Sequence, residues 1–246
     1  MKKKTKIILS ALSITIVLFI VAGIYLVTKL RAETSKMLAL ETGEITDGIY
    51  AVKDKHVNLF LVKGRDGYIT IDAGDNAEQI TRELRRLKID EEQVKGVFLT
   101  HTDRDHVAAV GLFGKAKVYI SRDEEQMING KTPRFFSLFK NSLPFKYELL
   151  DDGQVIDIAG VKIRGIMTPG HTPGSMCYLV NDKFLFTGDS MSLRDGRAGL
   201  FNEFFNMDSE TQKKSLHKLK NIPDLKYIFT AHYGLTDNHK QAFENW

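Results

Sequence analysis

The chain has 246 residues, of which 43% are hydrophobic and 27% are charged. This composition excludes a disordered chain and a collagen-like repeat, and the single cysteine, Cys177, excludes an internal disulfide scaffold. The formal net charge of +4 arises at the N-terminal end, because residues 1–33 contain six basic residues and one acidic residue, whereas residues 34–246 contain 29 basic and 30 acidic residues. Nothing in the nearly neutral remainder indicates nucleic-acid binding.

A long apolar run near the N-terminus predicts a membrane helix. Residues 7–27 are 21 consecutive residues without a charge, and as a helix they would span about 31 Å, the thickness of a bilayer core. A cleaved signal peptide is the alternative, but its apolar region typically spans about 7–15 residues and ends in a small-x-small site. We therefore expect a basic segment at 1–6 and an uncleaved transmembrane helix at 7–28.

The charges that flank this helix predict its orientation. Four lysines precede the apolar run and two basic residues follow it within five positions. This distribution favours a cytoplasmic N-terminus under the positive-inside rule. The sequence therefore predicts a single-pass protein of the cell membrane whose main domain is extracytoplasmic.

Residues 29–45 are mixed and polar and predict a stalk, whereas residues 46–246 predict one α/β domain. Its apolar periodicity and turn residues indicate the elements. We expect strands at 58–63, 68–72, 94–100, 117–120, 146–150, 161–167, 176–180, 183–186 and 227–230, and helices at 77–87, 107–113 and 209–220, with a capping-box pattern at 121–124 that opens a short helix. This mixed order favours two sheets carrying helices over a purely parallel sheet.

The segment 100–106, Thr-His-Thr-Asp-Arg-Asp-His, concentrates potential metal ligands after an apolar strand. Residues two apart in an extended stretch point the same way, so His101 and Asp103 can reach one metal ion. Asp105 and His106 come where the chain turns into a helix and can face a second ion. Four such groups within six residues would be costly to desolvate without a cation between them. A polar surface loop is the alternative.

Three later segments each present one more histidine or aspartate at the end of a predicted strand. His171 lies between two Pro-Gly pairs, Asp189 follows a glycine, and His232 follows the last strand. A loop at a strand end presents such a side chain from a rigid scaffold, although a single residue of this kind is more often structural.

In this order the four segments resemble the metallo-β-lactamase-fold superfamily, whose pattern is His-x-His-x-Asp-His followed by His, a bridging Asp and His. The resemblance covers roughly residues 46–240 and includes the family's early Asp-Gly element at 70–74. It implies a four-layer αβ/βα sandwich with a dinuclear metal site at one edge of its two sheets. By analogy, the first metal ion would bind His101, Asp103 and His171, the second would bind Asp105, His106 and His232, Asp189 would bridge both ions, and Asp72 would orient the first segment. Three further histidines, His56, His217 and His239, match nothing in the pattern and are expected to be structural or solvated.

Asp103 departs from the commonest pattern, which has a second histidine there. The ligand set then carries a charge of −3 instead of −2, which should hold cations firmly but leave them less Lewis acidity. An oxygen ligand also shifts metal preference toward iron or manganese relative to zinc, and flavodiiron proteins carry a carboxylate at this position. We expect two divalent ions and choose zinc, because many hydrolases of this fold use it and the domain is expected to face an oxidising exterior.

The resemblance implies a hydrolase in which a hydroxide shared by two metal ions attacks a carbonyl or phosphoryl centre of a small-molecule substrate, with Asp105 able to take up a proton. The fold does not choose among β-lactams, thioesters, lactones and phosphodiesters, and the sequence does not indicate the oligomeric state. A diiron redox protein related to flavodiiron proteins and a non-catalytic metal-binding sensory domain remain the alternatives.

Aromatic residues cluster in two places near these motifs. One cluster is the phenylalanine-rich stretch 135–145, with the basic residues Arg134, Lys140 and Lys146 beside it, and the other comprises Phe201, Phe204 and Phe205. Such residues belong either to the core or to a flexible apolar lid with basic rims, which would select a substrate with an acyl group.

Overall fold

The N-terminal residues form one long helix, α1 (Lys2–Thr34), in a computed structural model that describes residues 2–134 and 141–246. The chain divides into two compact units, Met1–Met37 and Leu38–Trp246. Within α1, Leu12–Thr34 is long and apolar enough to cross a membrane, a property that a signal sequence shares. The helix extends past the predicted span 7–28 at both ends, because the flanking residues, mainly Lys, Leu, Arg, Ala and Glu, are good helix formers.

The segment predicted as a stalk is divided between the two units. Its first part continues α1, whereas the part from Leu38 onward belongs to the second unit. The backbone N–H of Leu38 donates to the carbonyl of His232 at 2.7 Å, and that of Leu40 donates to Asn58 Oδ1 at 2.7 Å. The domain therefore begins before residue 46. The sequence missed this because a short edge strand with few apolar residues has the composition of a linker.

A seven-stranded mixed sheet has its strands in chain order. They are β1 (Gly43–Thr46), β2 (Ile49–Asp54), β3 (Val57–Lys63), β4 (Tyr68–Ile71), β5 (Val94–Phe98), β6 (Lys117–Ser121) and β7 (Glu148–Leu150). The first four pair antiparallel, and β4 to β7 pair parallel. Parallel pairs need crossovers, which contain the helices α2 (Ala77–Leu87), α3 (Arg104–Val107) and α4 (Glu125–Ile128).

A six-stranded sheet forms the other half of the domain. Its chain-order strands are β8 (Val155–Ile158), β9 (Val161–Met167), β10 (Met176–Val180), β11 (Phe184–Phe186), β14 (Tyr227–Phe229) and β15 (Leu235–Thr236). Between β11 and β14 lie the hairpin β12 (Ser192–Arg194) and β13 (Arg197–Gly199) and the helix α5 (Ser209–Lys220), and a short helix α6 (His239–Ala242) follows β15. β11 and β14 pair parallel, and the other neighbours pair antiparallel.

Two apolar clusters fix the layers. The first lies between the sheets, where Phe60 of β3 packs against Phe186 of β11 and Phe98 of β5 against Tyr178 of β10, with ring centroids 5.3 and 5.5 Å apart. The second joins the outer face of the first sheet to α2 through Ile80 and Leu84, among others. With α5, the result is the predicted αβ/βα sandwich.

Most predicted elements have the expected bounds within one or two residues, but one helix does not. The helix predicted at 107–113 is instead α3 over Arg104–Val107, followed by a 3₁₀ turn over Val110–Phe113. Gly111 and Gly114 lower the helix propensity of that stretch, so the regular helix falls on the preceding residues. The strands β1, β2, β8, β12, β13 and β15 and the helix α6 were not predicted, and all but β2 are four residues or shorter.

The predicted lid stretch 135–145 is only partly within the described residues. Residues 135–140, which include Phe135, Phe136 and Phe139, lie outside them. Phe145 is on the surface, 38% exposed, and faces Gly111, where an added Cβ would lie 3.3 Å from its ring. The lid remains a prediction.

The fold predicts an inert thiol at Cys177. This side chain is 0% exposed, and burial raises its pKa to about 11. Since only the thiolate reacts, we expect a disulfide reagent at pH 8 to label the folded chain roughly 100-fold more slowly than the chain in denaturant. Absorbance of the released thiol measures both rates, and Cys177→Ser gives the background. Equal rates would show that β10 is not buried as described.

Candidate metal centre

The predicted ligand segments all lie where strands end. His101 follows β5, His171 lies in the turn between β9 and β10, and Asp189 and His232 follow β11 and β14. The parallel pairs β4–β5 and β11–β14 bring their carboxyl ends to the same edge of their sheets. Side chains that are up to 131 residues apart in the chain therefore meet at this edge.

Glycines allow two of these segments to approach their neighbours. Gly188, before Asp189, has φ +51°, and a Cβ there would lie 2.3 Å from Thr100 Oγ1. Gly174, after His171, would place a Cβ 2.0 Å from the backbone nitrogen of Glu124. Any side chain at either position would push a ligand-bearing loop outward.

Four side chains form a first group. Asp103 Oδ2 lies 3.6 Å from His101 Nε2 and 3.2 Å from His171 Nε2. Asp189 Oδ2 lies 3.9 Å and 3.5 Å from the same two nitrogens. Two carboxylates thus face two imidazoles around one point, and His101, Asp103 and His171 lie close enough to hold one metal ion.

A second group repeats this arrangement with the other oxygen of Asp189. His232 Nε2 lies 3.4 Å from Asp105 Oδ2 and 3.3 Å from Asp189 Oδ1. His106 Nε2 lies 3.9 Å and 3.6 Å from the same two oxygens. Asp189 therefore belongs to both groups, with one carboxylate oxygen directed to each.

The two groups fit divalent cations. Ligands of a tetrahedral ion at about 2.0–2.2 Å are separated by about 3.3–3.6 Å, which is close to the separations observed. Within the described ranges, the buried atoms His101 Nε2, His106 Nε2 and Asp189 Oδ1 have no hydrogen-bond partner. Leaving such atoms unsatisfied typically costs about 1–3 kcal/mol each, and a bound cation would satisfy all three.

Every imidazole of the centre is oriented in the same way. Each Nδ1 faces an oxygen, so Nε2 is directed inward. These contacts are His101 to Thr100 Oγ1 at 3.0 Å, His106 to Asp72 Oδ2 at 2.8 Å, His171 to Asn206 Oδ1 at 3.3 Å, and His232 to the carbonyl of His56 at 2.7 Å. A ring that donates from Nδ1 keeps the Nε2 lone pair for a cation.

Asp72 connects several of these contacts. It follows β4 with φ +61°, is buried, and accepts hydrogen bonds from the Thr100 N–H at 2.8 Å and from its hydroxyl. The same carboxylate faces His106 Nδ1. Asp72 therefore orients two histidines, one directly and one through Thr100.

The charge distribution differs between the groups. Burial disfavours a charged His232 ring, but the carboxylates of Asp189 and Asp105 outweigh it and raise the pKa of His232 to about 10. In the first group, burial lowers the pKa of His171 to about 4 despite the hydrogen bond with Asp103, and the charge of Arg134 acts in the same direction. The carboxylates therefore dominate around His232, whereas burial dominates around His171.

Two residues near the centre were not predicted as part of it. Arg134 contacts Asp103 through two hydrogen bonds and is almost fully buried. Glu124 accepts from the Thr102 N–H and hydroxyl, each at 2.7 Å, and from the Thr172 hydroxyl at 2.6 Å. Glu124 thereby ties the first segment to the His171 turn, and burial raises its pKa. Its only sequence signal was the capping-box spacing, of which Ser121 forms one half.

The histidines outside the pattern occupy different surroundings. His56 is exposed, stacks on His232 with ring centroids 5.7 Å apart, and lies near Asp105 at the rim of the second group. His217 is exposed beside Trp246, and His239 is half-buried beside Phe243. His56 is therefore closer to the centre than its place in the sequence suggested.

Phe201 lines one side of the centre. It is buried, with its ring centroid 4.9 Å from that of His171 and 5.8 Å from that of His232. The ring thus spans from one group to the other and excludes water from that side.

The match of the sequence to a family model identifies the family of this chain. The model of the Metallo-beta-lactamase superfamily matches residues 52–232. The chain belongs to this superfamily. The matched range contains all seven clustered histidine and aspartate residues described above.

Curated relatives of the chain are hydrolases. It is 34% identical over 126 residues to "Probable polyketide biosynthesis zinc-dependent hydrolase PksB" of Bacillus subtilis (strain 168), covering 50% of this chain and 49% of the relative. It is 25% identical over 191 residues to "Hydroxyacylglutathione hydrolase" of Shewanella halifaxensis, covering 77% and 66%. The chain thus spans about half the length of the first relative. These relatives and the His/Asp groups together support divalent metal binding.

Solved structures share the metallo-beta-lactamase fold. A B3 metallo-beta-lactamase described as having an active site glutamic acid superposes with a TM-score of 0.66 at 18% identity, covering 87% of this chain and 89% of that one. A metallo-beta-lactamase from Cronobacter sakazakii, described as a HARLDQ motif mutant, gives a TM-score of 0.62 at 25% identity, covering 78% of this chain and 80% of that one. At these identities the structural likeness supports the fold.

The contacts of Asp72 predict its effect on metal binding. Asp72→Asn removes the negative acceptor that faces His106 Nδ1, so Zn²⁺ affinity should fall about 10–100-fold, as for other residues that orient metal ligands. Competition with a chromophoric chelator measures it. Asp75→Asn is the control, because Asp75 pairs with the exposed side chains of Lys55 and Arg104 instead of an imidazole. Equal affinity of Asp72→Asn and the wild type would contradict the orienting role.

Proposed function

We propose that the chain is a metal-dependent hydrolase with two divalent ions, zinc in the first instance, at the two groups that share Asp189. The observation that carries the proposal is this sharing, since each oxygen of Asp189 faces two histidine nitrogens at 3.3–3.9 Å. His101, Asp103 and His171 would hold one ion, and Asp105, His106 and His232 the other. Bound ions would supply Lewis acidity for the attack of water on a carbonyl or phosphoryl centre.

The protein's own residues contribute order and proton handling. Asp72 and Thr100 fix the inward direction of the Nε2 atoms of His101 and His106. Phe201 keeps water from one side of the centre. The side chain of Asp105 is one-third exposed, and its carboxylate can take up the proton that the attacking water loses.

The substrate is proposed only as a class, a small molecule with a hydrolysable carbonyl or phosphoryl group. β-Lactams, thioesters, lactones and phosphodiesters all fit this description, and the fold does not distinguish them. The name of the Bacillus subtilis relative includes zinc dependence, which favours zinc, whereas the oxygen ligand of Asp103 favours iron or manganese.

Metal analysis and a substrate panel test the hydrolase. We expect the full chain, purified in detergent, to contain about two zinc ions per molecule by elemental analysis and to hydrolyse at least one of the four substrate classes. Asp189→Ala should lower both metal content and turnover, the latter about 1,000-fold, whereas the exposed His217→Ala should change neither. Unchanged metal content and turnover in Asp189→Ala would overturn the proposal. Two irons with a visible chromophore would indicate the diiron alternative, and bound zinc without turnover a sensory domain.

We further propose that α1 anchors the protein in the cell membrane with the second unit outside. In a bacterial host the full-length chain should stay with the membrane after alkaline extraction, because about 20 apolar residues resist transfer to water. Protease added to intact cells should remove the domain, and lysed cells provide the control. A shortened, soluble chain would indicate a cleaved signal sequence, and a domain protected in intact cells would reverse the orientation.

A further inference from the structure

Arg134 is a buried cation at one side of the centre. It is 6% exposed, although most arginines are on the surface. Its Nε donates to Asp103 Oδ1 at 3.0 Å, its Nη2 donates to Asp103 Oδ2, and its Nη1 donates to the carbonyl of Phe205 at 2.5 Å. The guanidinium is therefore fixed by bonds on three of its nitrogens.

The position of Nη2 bears directly on the first group. It contacts Asp103 Oδ2 and also lies 3.0 Å from His171 Nε2. Asp103 Oδ2 and His171 Nε2 lie 3.2 Å apart, and both face the position at which the first group would hold a metal ion. An N–H directed at a lone pair competes with a metal ion for it, so the guanidinium and a cation interact with the same two ligand atoms.

The second group has different surroundings. Its carboxylate, Asp105, pairs with the imidazoles of His106 and His232, and the Arg134 bonds described above reach only the first group and the Phe205 carbonyl. The positive charge of Arg134 therefore bonds to the first group and not to the second.

Charge balance explains why an arginine belongs beside Asp103. The seven clustered side chains contain three carboxylates, and four imidazoles that are neutral as ligands, which gives −3. The guanidinium returns the total to −2, the charge of a set with histidine at position 103. A bidentate guanidinium also fixes the plane of the carboxylate, which a lysine cannot do.

We propose that Arg134 is a positioning residue that compensates for Asp103 and makes the two metal positions unequal: it holds the carboxylate and weakens cation binding at the first group relative to the second. This inference rests on the proposed function, because it concerns metal ions at these two groups.

Stepwise Zn²⁺ binding to the metal-free full chain tests the inference. Competition with chelators of graded affinity should show two steps in the wild type that differ by at least about tenfold, because a unit charge close to an ion has an effect of this size even at high effective dielectric constant. His171→Ala should remove the weaker step, and His232→Ala should remove the tighter one. Co²⁺ absorption bands give an independent signal for each position.

Two substitutions of Arg134 separate charge from structure. Arg134→Met removes the charge and keeps an unbranched stem, while Asn141 Nδ2 still donates to Asp103 Oδ1 at 3.0 Å, so the weaker step, at the first group, should tighten about tenfold. Arg134→Lys keeps the charge, so the step at the first group should remain weak. The tighter step, at the second group, should stay constant in both variants. Arg122→Met is the matched control, because Arg122 forms an equally bidentate pair with Asp151 on the surface.

Several outcomes would overturn the inference. Two Zn²⁺ binding steps of equal affinity in the wild type would overturn it. This measurement needs no variant, so it decides the matter even if Arg134→Met does not fold. If binding at the first group weakens in both variants, Arg134 is a purely structural residue. Failure of the wild type to bind Zn²⁺ at all would instead refute the proposed function, so the two failures are distinguishable.

Discussion

The electrostatic cost of gathering three carboxylates at one buried edge is the constraint on which the centre depends. Asp189 lies within 4 Å of four imidazoles, and Asp103 and Asp105 each lie within 4 Å of two. Negative groups this close are stable only with compensating positive charge. Protons on the histidines, the Arg134 guanidinium and divalent cations are the three sources that the protein can use, and their competition sets how the centre behaves.

The rest of the domain serves to hold this arrangement in place. The inter-sheet core of aromatic residues fixes the strands whose ends carry the ligands. Beneath the centre, Asp72 and Glu124 are buried carboxylates that accept hydrogen bonds from the ligand loops. Since both link segments far apart in sequence, a shift in one loop is resisted by the others. This rigidity keeps the histidine Nε2 atoms aimed inward.

The sequence predicted much of this architecture for identifiable reasons. The helix Ala77–Leu87 and the strand Val161–Met167 have strong periodicity, and both were predicted with the observed bounds. The motif residues could be placed at strand ends because a buried strand precedes each loop. Short elements such as β1 and β15 have too few residues to show a period.

Long-range pairing explains what the sequence could not indicate. The partner of Asp103 is Arg134, 31 residues later in the chain, and no local pattern relates the two. Arg134 was noted only as a basic neighbour of the phenylalanines. Glu124 looked like part of a helix start, and its contact with Thr172 appears only when the two sheets are assembled. Polar partners brought together by tertiary structure have no periodicity to reveal them.

The bond from Leu38 to the His232 carbonyl has a practical consequence for trimming the protein. Leu38 and Leu40 lie upstream of every regular strand, yet they are fastened to the loop that carries His232 and, through Asn58, to β3. A soluble fragment that started at β1 would lack these anchors and would leave the last histidine loop less restrained. The N-terminal boundary of any excised domain should therefore be set ahead of Leu38, the first residue of the second unit.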